Sequence, residues 1–436
     1  MTAIVGVLNS NGIAVAADSA VTVTGNKVKK VYNRSNKIFT LSKIHPVGIA
    51  IYSSADFMGI PLETIIKLYR KKLKDDHFNT VEEYKADFLE FLKTQLTHVD
   101  PQLKGDKFYN FCFEAYNTIK NKTIDNLEGR TDELAALNPI ELDAAIDAQI
   151  TEEINAYQTI VNGFDKADYI NKTIEEFTAF HNNQLTSITN FIQEEIRKKF
   201  PTATLKAAHI TAVHELLFAL INIEYLFENH SGLVFFGFGE EEIYPSTVQV
   251  LVGTAIADVP RVRHYDVIRI IPGVHNSNIL PFAQGDVTTT VLTGVDPNYK
   301  DEMKQSIKST FNTFGQELRV LLNNPQQADV IEASITNVSD ELINKLEQYQ
   351  FNTITGPLLE ILAYMGKEDM SELAESLVNI TSLKRKFTSS DSADESVGGP
   401  VDVAIVTKGD GFIWMKRKHY FDMENNQGFT EKYYKY

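Results

Sequence analysis

The amino-acid sequence predicts an α+β protein in which two β-rich segments flank a long helical one. The first hundred residues contain several short β-prone runs, followed by two segments with apolar residues at helical spacing. Residues 101–230 are acidic and largely helix-periodic, and the strand pattern resumes at Gly232. These three observations favour two groups of strands separated by helices.

Composition excludes several classes of protein. The 436 residues suffice for one large domain with insertions or for two to three ordinary domains. The net charge of −16 argues against nucleic acid or an anionic membrane surface as the main partner. A single cysteine, Cys112, excludes an intrachain disulfide and suits a reducing compartment. Because no signal peptide or membrane-length apolar run is evident, we expect a cytoplasmic protein.

The first eighteen residues predict a β-hairpin. Asn11-Gly12 between two β-prone runs is a strong hairpin signal, because both central turn residues need positive φ. With these two residues as the loop, Thr2 lies opposite Val21, and with the turn one residue earlier it lies opposite Ser19. Both registers place the Thr2 hydroxyl a few residues from Asp18.

Asp18 ends the second strand of this hairpin. Residues 13–17 are apolar at every position, which suits a strand that is covered on both faces. A carboxylate at the end of such a strand is costly unless it has a partner. The plainer alternative is that Asp18 only opens the next turn.

Further strands and two helices follow within the first hundred residues. The alternation over residues 36–41 predicts a strand with Lys37 at its start. A buried strand over 47–52 comes next. Apolar residues at helical spacing then predict helices over 58–73 and 81–96.

Three segments resemble the N-terminal half of a mature proteasome β-subunit. They are residues 2–7 (Thr-Ala-Ile-Val-Gly-Val), 16–19 (Ala-Ala-Asp-Ser) and 36–39 (Asn-Lys-Ile-Phe). The resemblance implies the N-terminal nucleophile (Ntn) hydrolase fold, a four-layer αββα sandwich in which two sheets lie between helical layers. Residues 1–100 would form the N-terminal half of that sandwich.

The resemblance also implies functional roles. The family motif places the nucleophile at Thr2, the strand-end carboxylate at Asp18 and the active-site lysine at Lys37. By analogy, backbone N–H groups in the turn after the strand 47–52 stabilise the oxyanion, which makes Tyr52 or Ser53 the candidate donor.

Residues 101–230 have no counterpart in an ordinary β-subunit, and we interpret them as a large α-helical insertion. It could serve as a lid, a partner surface or a substrate gate, or be a packed subdomain without such a role. His209, His214 and Glu215 suggest a metal site, but histidines five residues apart diverge by about 140° on a helix. Zinc-binding pairs use a spacing of four, so we predict no metal and no other cofactor.

Residues 231–436 are predicted to complete the sandwich, with extra β structure at 257–281. Residues 284–288 predict a polar loop that returns to the side of the candidate nucleophile. Four helices are predicted, over 298–322, 329–349, 357–365 and 368–383.

The tail carries a second part of the resemblance. Gly398-Gly399-Pro400 leads into a predicted strand hairpin over 401–414. This is similar to the end of proteasome β-subunits, where an Asp-x-x-Ser-Gly-Gly loop supports the nucleophile. Asp394 matches the carboxylate of that motif. Val397 stands at the serine position, and Ser396, one place earlier, is the candidate substitute.

A threonine at the start of a chain carries its own base. Its α-amine has an ordinary pKa of about 7.7–8.0, near the working pH of such an enzyme. Methionine before a small residue is normally removed by aminopeptidase, which would leave Thr2 first. A cation at Lys37 would lower the pKa of nearby amine and hydroxyl groups, and Asp18 would hold that cation.

Two functions compete on these residues. The first is a proteasome-like threonine peptidase or amidase, a hydrolase that cleaves peptide or other amide bonds through an acyl-enzyme on Thr2. The alternative is a non-catalytic assembly or scaffold subunit that kept the fold. The order of Thr2, Asp18 and Lys37 favours the enzyme. We further expect a homo-oligomer, with an unfoldase as a candidate partner and with neither nucleic acid nor a membrane as one.

Overall fold

The computed structural model describes residues 2–24, 29–32, 34–167, 169, 172–201, 203–322, 324–388, 398–419, 421 and 424–428. Over these residues the protein has a mixed α+β structure with antiparallel sheets. The strands are β1 (Ile4–Asn9), β2 (Gly12–Ala17), β3 (Val21–Thr24), β4 (Lys29–Tyr32), β5 (Ile38–Thr40), β6 (Val47–Ser53), β7 (Asp56–Phe57), β8 (Ile60–Pro61), β9 (Ser231–Gly237), β10 (Ser246–Ile256), β11 (Val259–His264), β12 (Ile268–Arg269), β13 (Ser277–Ala283), β14 (Asp402–Thr407) and β15 (Gly411–Lys416).

The α-helices occupy the middle of the chain and its last third. They are α1 (Leu62–Leu73), α2 (Val81–Gln95), α3 (Pro101–Glu128), α4 (Thr131–Ala135), α5 (Pro139–Asn162), α6 (Ile174–Phe180), α7 (Asn182–Lys199), α8 (Ala207–Ile221), α9 (Gly285–Thr293), α10 (Pro297–Leu322), α11 (Pro325–Gln350), α12 (Gly356–Leu362) and α13 (Lys367–Thr388). Among the described residues, none of these helices is both long enough and apolar enough to cross a membrane.

The strands form two main sheets. Sheet I has the order β13-β1-β2-β14-β15, so strands from the start and the end of the chain lie side by side. Sheet II has the order β11-β10-β9-β6-β5, and β12 pairs with β10. Two short ribbons, β3–β4 and β7–β8, stand apart from both sheets.

An apolar cluster joins the two sheets, because successive side chains of a strand point to opposite faces. Ile4 and Leu8 of β1 face this cluster together with Phe236 of sheet II. Val5 and Val7 face the opposite side of sheet I. Strand β2 is buried at every position, which confirms that its continuous apolar run is covered on both faces.

Helices pack on the remaining faces of the sheets. Leu62 of α1 and Phe88 of α2 belong to a cluster with Phe235 of sheet II. Leu362 of α12 and Leu377 of α13 belong to a cluster that includes strands of sheet I. Each of the two sheets therefore shares an apolar cluster with helices.

Helices α3 to α8 pack around a separate apolar cluster, so the helical conformation predicted for residues 101–230 is present. Arg261 of β11 is fully buried and connects this region to sheet II. Its guanidinium binds both carboxylate oxygens of Glu228 at 2.6 Å. It also donates to four backbone carbonyls of the segment that ends α8 and follows it, those of Leu220, Ile221, Ile223 and Tyr225.

The structure corrects three local predictions. The helix expected over 58–73 begins only at Leu62, because Met58 and Gly59 take positive φ values of 50° and 83° in the turn between β7 and β8. The polar loop expected at 284–288 is the first turn of α9. The β structure expected at 257–281 extends to Ala283, and its last strand is paired with β1 as a member of sheet I.

Replacement of Arg261 should loosen the helical region from sheet II. Arg261→Met leaves the buried carboxylate of Glu228 and several carbonyls without their donor, and we expect a loss of about 3–5 kcal/mol in the free energy of unfolding. Arg263→Met on the same strand is the matched control, since Arg263 is half-buried and lies over Tyr265. Urea unfolding followed by circular dichroism measures both variants. Equal midpoints would show that the Arg261–Glu228 pair does not secure this region.

Candidate active site

The hairpin β1–β2 turns through Ser10 and Asn11, because Asn9 pairs with Gly12. The Asn9 side-chain oxygen accepts a 2.8 Å hydrogen bond from the Asn11 N–H and stabilises the turn. A Cβ at position 12 would lie 2.5 Å from the carbonyl oxygen of Val406 in β14. Gly12 is therefore required for the close approach of β14, and the turn takes the earlier of the two registers that the sequence allows.

This register places Thr2 beside a buried carboxylate. The Asp18 N–H donates to the Ala3 carbonyl oxygen at 3.2 Å and continues the β1–β2 ladder beyond the strands. Thr2 then falls opposite Ser19. The exposed fractions are 7% for Thr2 and 1% for Asp18, so both residues lie inside the protein.

The Asp18 carboxylate accepts four hydrogen bonds. Oδ1 accepts from the Ala3 N–H at 2.8 Å and from Lys37 Nζ at 2.7 Å. Oδ2 accepts from the N–H groups of Ala20 at 3.1 Å and Gly398 at 3.0 Å. The Ala20 N–H lies two residues on, as in a turn that Asp18 opens, but the other three donors come from elsewhere in the chain, so Asp18 does more than open a turn.

Lys37 immediately precedes β5, and its carbonyl oxygen accepts a 2.8 Å hydrogen bond from the Ile51 N–H of β6. Its side chain is 3% exposed and reaches across to Asp18. Burial lowers the pKa of Lys37 below its ordinary value of 10.5, although the charge and hydrogen bond of Asp18 oppose this shift. The charge of Lys418 lowers the pKa of Lys37 slightly further.

The segment before β14 is bound to the same place. The Ser19 N–H donates to the Gly398 carbonyl at 3.0 Å, and the Ser19 hydroxyl donates to the Pro400 carbonyl. Ser19 is a site residue that sequence reasoning did not assign a role, although its Ala-Ala-Asp-Ser motif contained it. The supporting residues Asp394 and Ser396 lie outside the described residues.

The candidate oxyanion donors, Tyr52 and Ser53, lie at the end of β6. The pairing of Lys37 with Ile51 places them one and two residues farther along the strand. Ser53 has a positive φ of 66°, a strained conformation for a residue with a side chain that is frequent at functional sites. The Tyr52 ring lies against Gly232, where a Cβ would come within 2.0 Å of it.

Helix α9 starts beside the N-terminal end of β1, because Ala283 pairs with Ile4. Residues 284–288 are therefore on the predicted side of the molecule, but in a helix. Within this helix Asp286 pairs with Arg385 and Lys384 of α13. The buried hydroxyl of Thr288 has no hydrogen-bond partner among the described residues. Neither residue was singled out from the sequence, because a polar stretch alone does not distinguish a loop from a helix end.

No cluster of His, Cys, Asp and Glu side chains in the described part of the chain is arranged to hold a metal ion. His209 is held by Thr151 at 3.1 Å and by Asp147 at 3.2 Å, as expected for a structural histidine. His214 differs from the expectation of satisfied polar groups, because its buried Nε2 finds no partner among those residues.

The structure thus brings together Asp18, Lys37 and the backbone next to Thr2. A scan against protein-family models finds no match to this chain, and a search of curated proteins finds no relative either.

Removal of one partner from the Asp18–Lys37 pair should affect stability unequally. Asp18→Ala leaves a buried ammonium and three backbone N–H groups without their acceptor, so we expect a loss of about 3–5 kcal/mol. Lys37→Met retains the carboxylate with its backbone donors, so its loss of unfolding free energy should be smaller than that of Asp18→Ala. Denaturant unfolding of the two single variants and the double variant measures the coupling. A larger loss in Lys37→Met than in Asp18→Ala would contradict this assignment of contacts.

The lowered pKa of Lys37 also predicts a pH dependence. Between the folded pKa and 10.5 the unfolded chain binds this proton more tightly than the folded chain does. Stability conferred by this group therefore rises with pH across that window. As pH is raised across that window, the unfolding free energy of the wild type should therefore increase relative to that of Lys37→Met. A decrease in the stability of the wild type relative to Lys37→Met over the same pH range would contradict the buried position of the lysine.

Proposed function

We propose that this protein is an N-terminal threonine hydrolase that cleaves amide bonds, with peptides as the main substrate class. The observation that carries the proposal is the shared oxygen of Asp18, which binds both Lys37 Nζ and the N–H of the residue after Thr2. A buried cation is thereby held beside the backbone that follows Thr2, and we propose that the Thr2 hydroxyl faces it. That is the arrangement a terminal nucleophile with its own amine base requires.

The strand order supports the corresponding fold. An apolar cluster joins sheets I and II, α1 and α2 pack on sheet II, and α12 and α13 pack on sheet I. We propose that these elements form the four-layer αββα sandwich of the Ntn hydrolases. Helices α3 to α8 would be its insertion.

The proposed reaction begins after removal of Met1. The Thr2 amine takes the proton of the Thr2 hydroxyl, and Oγ attacks the carbonyl carbon of the substrate amide. The amine then donates the proton to the leaving nitrogen as the C–N bond breaks, which leaves an ester on Thr2. Water activated by the same amine hydrolyses the ester. A backbone N–H of Tyr52 or Ser53 would stabilise the oxyanion of each tetrahedral intermediate.

The energetics of Lys37 favour a functional role over a structural one. Burial disfavours its charged form more than Asp18 favours it, which is why the net shift of the Lys37 pKa is downward. A pair of apolar side chains would avoid this cost. Perturbed pKa values of this kind concentrate at functional sites, where a charge is needed close to the reacting atoms.

Thr2 should be the residue that reacts. Intact-mass measurement should show that purified protein lacks Met1 and gains the mass of a β-lactone or epoxyketone inhibitor. Thr2→Ala should lose both the adduct and peptide turnover while keeping its melting temperature, because one terminal hydroxyl contributes little to packing. Thr2→Ser retains a hydroxyl and should retain the adduct. Ser10→Ala, in the exposed hairpin turn, is the control for loss of a hydroxyl elsewhere.

Retention of Met1, or equal labelling of Thr2→Ala, would contradict the hydrolase. A non-catalytic assembly subunit, the alternative on sequence grounds, would then be the better description. The resemblance to self-associating subunits also leads us to propose a homo-oligomer. Light scattering of the purified chain at micromolar concentration tests that part, and a monomer would refute it.

A further inference from the structure

A cavity of about 230 Å³ lies at the edge of both sheets, close to the candidate site. Its lining residues come from three parts of the chain. These are β5 with the position before Lys37, helix α1, and the end of β15 with the segment that follows it. Asn36 and Ile38, which flank Lys37 in the chain, form part of its wall. The volume is below the 300–1,000 Å³ of pockets that enclose whole small molecules. It therefore suits one side chain of a larger ligand.

The wall of this cavity is positively charged, although the whole chain carries a net charge of −16. Four cationic side chains line it, Lys67 and Arg70 of α1 and Arg417 and Lys418 after β15. Among the described lining residues, Glu63 is the one carboxylate. Such a reversal of sign within an acidic molecule attracts an anionic group and repels a cationic one.

Each of these cations already makes contacts within the protein. Lys67 is paired with Glu63 at 2.5 Å. Lys418 is paired with Asp402, whose side chain is buried. Arg70 uses Nη1 for the hydroxyl and the carbonyl oxygen of Thr40. Its planar guanidinium carries further N–H donors, in the fork geometry that matches a carboxylate.

Arg417 lies over the ring of Trp414, 4.8 Å from its centroid. An aromatic platform holds a guanidinium in place, so less side-chain entropy is lost when it binds an anion. Arg70 and Arg417 thus approach the cavity from different elements. The ligand group that this arrangement fits is a carboxylate, bound by charge-assisted hydrogen bonds.

The cavity is also connected with the candidate catalytic residues. Asp402, the partner of Lys418, pairs in the sheet with Ala17, the residue before Asp18. Lys418 and the two residues flanking Lys37 all line the cavity. A peptide held at Thr2 could therefore extend a neighbouring side chain into it.

We propose that this cavity binds the carboxylate side chain of an aspartate or glutamate in the peptide substrate, so that the protein selects acidic peptides. This rests on the proposed hydrolase function, but the binding itself can be measured without turnover. Binding should weaken as salt is added, since the attraction is partly between exposed charges.

Trp414 provides the direct measurement, because it is the single tryptophan of the chain and lines the cavity. The full-length Thr2→Ala variant is titrated with a blocked tri-glutamate peptide while Trp414 fluorescence is recorded. We expect a saturable change that a blocked tri-glutamine peptide does not produce. Arg70→Gln and Arg417→Gln, each made in that background, should weaken binding about tenfold, as loss of one charge-assisted hydrogen bond would. Lys71→Gln, an exposed position of α1 that does not line the cavity, should bind as its parent does.

Equal responses to the glutamate and glutamine peptides would overturn the inference. So would unchanged binding in both arginine variants, or a response confined to a phosphoserine peptide. Two arginine variants are used because either one alone could bind poorly through a folding defect. Arg70→Gln also removes contacts with Thr40 of β5, whereas Arg417 lies in a different segment, after β15. Cleavage assays on the wild type separate the two proposals. Equal turnover of acidic and neutral peptides would contradict the proposed role of the cavity but not the hydrolase function. Glutamate-specific binding without turnover would contradict the hydrolase function but not the proposed role of the cavity.

Discussion

The carboxylate of Asp18 is the contact on which the candidate site depends. It joins the start of β1, the lysine before β5 and the loop before β14, three segments that are far apart in the chain. A buried carboxylate is stable only when its oxygens accept enough hydrogen bonds, and here both oxygens accept two. The requirement to satisfy one charge therefore places the ammonium of Lys37 beside the backbone that follows Thr2.

Two further buried charges show the same principle at other places in the molecule. Arg261 compensates Glu228 and the carbonyls of an irregular segment, and in doing so attaches the helical region to sheet II. Asp402 accepts both the backbone N–H and the ammonium of Lys418 at the start of β14 in sheet I. In each case a polar group inside the protein determines how neighbouring elements are placed, whereas the apolar clusters determine only that they pack.

Local sequence signals were reliable where a single physical requirement decided the outcome. The continuous apolar run of β2 meant burial on both faces, and helical periodicity placed α2, α10 and α11 within a few residues of their observed bounds. Signals failed where two requirements competed. Gly12 suited a turn but was needed for contact with β14, and the polar stretch at residues 284–288 suited a loop but begins α9.

The sequence by itself determined the α+β class and the presence of a helical middle, because these depend on periodicity. Thr2, Asp18 and Lys37 became candidates through the resemblance of their motifs to a known family. Only the tertiary structure decided that one oxygen of Asp18 is shared by Lys37 and Ala3, that Ser19 binds the loop at Gly398, and that cations from α1 and from the chain after β15 line one cavity. Those relations join residues that are not neighbours in the chain, and the last two join residues more than three hundred positions apart. Their energy comes from burial and hydrogen bonding, which exist only once the sheets have packed.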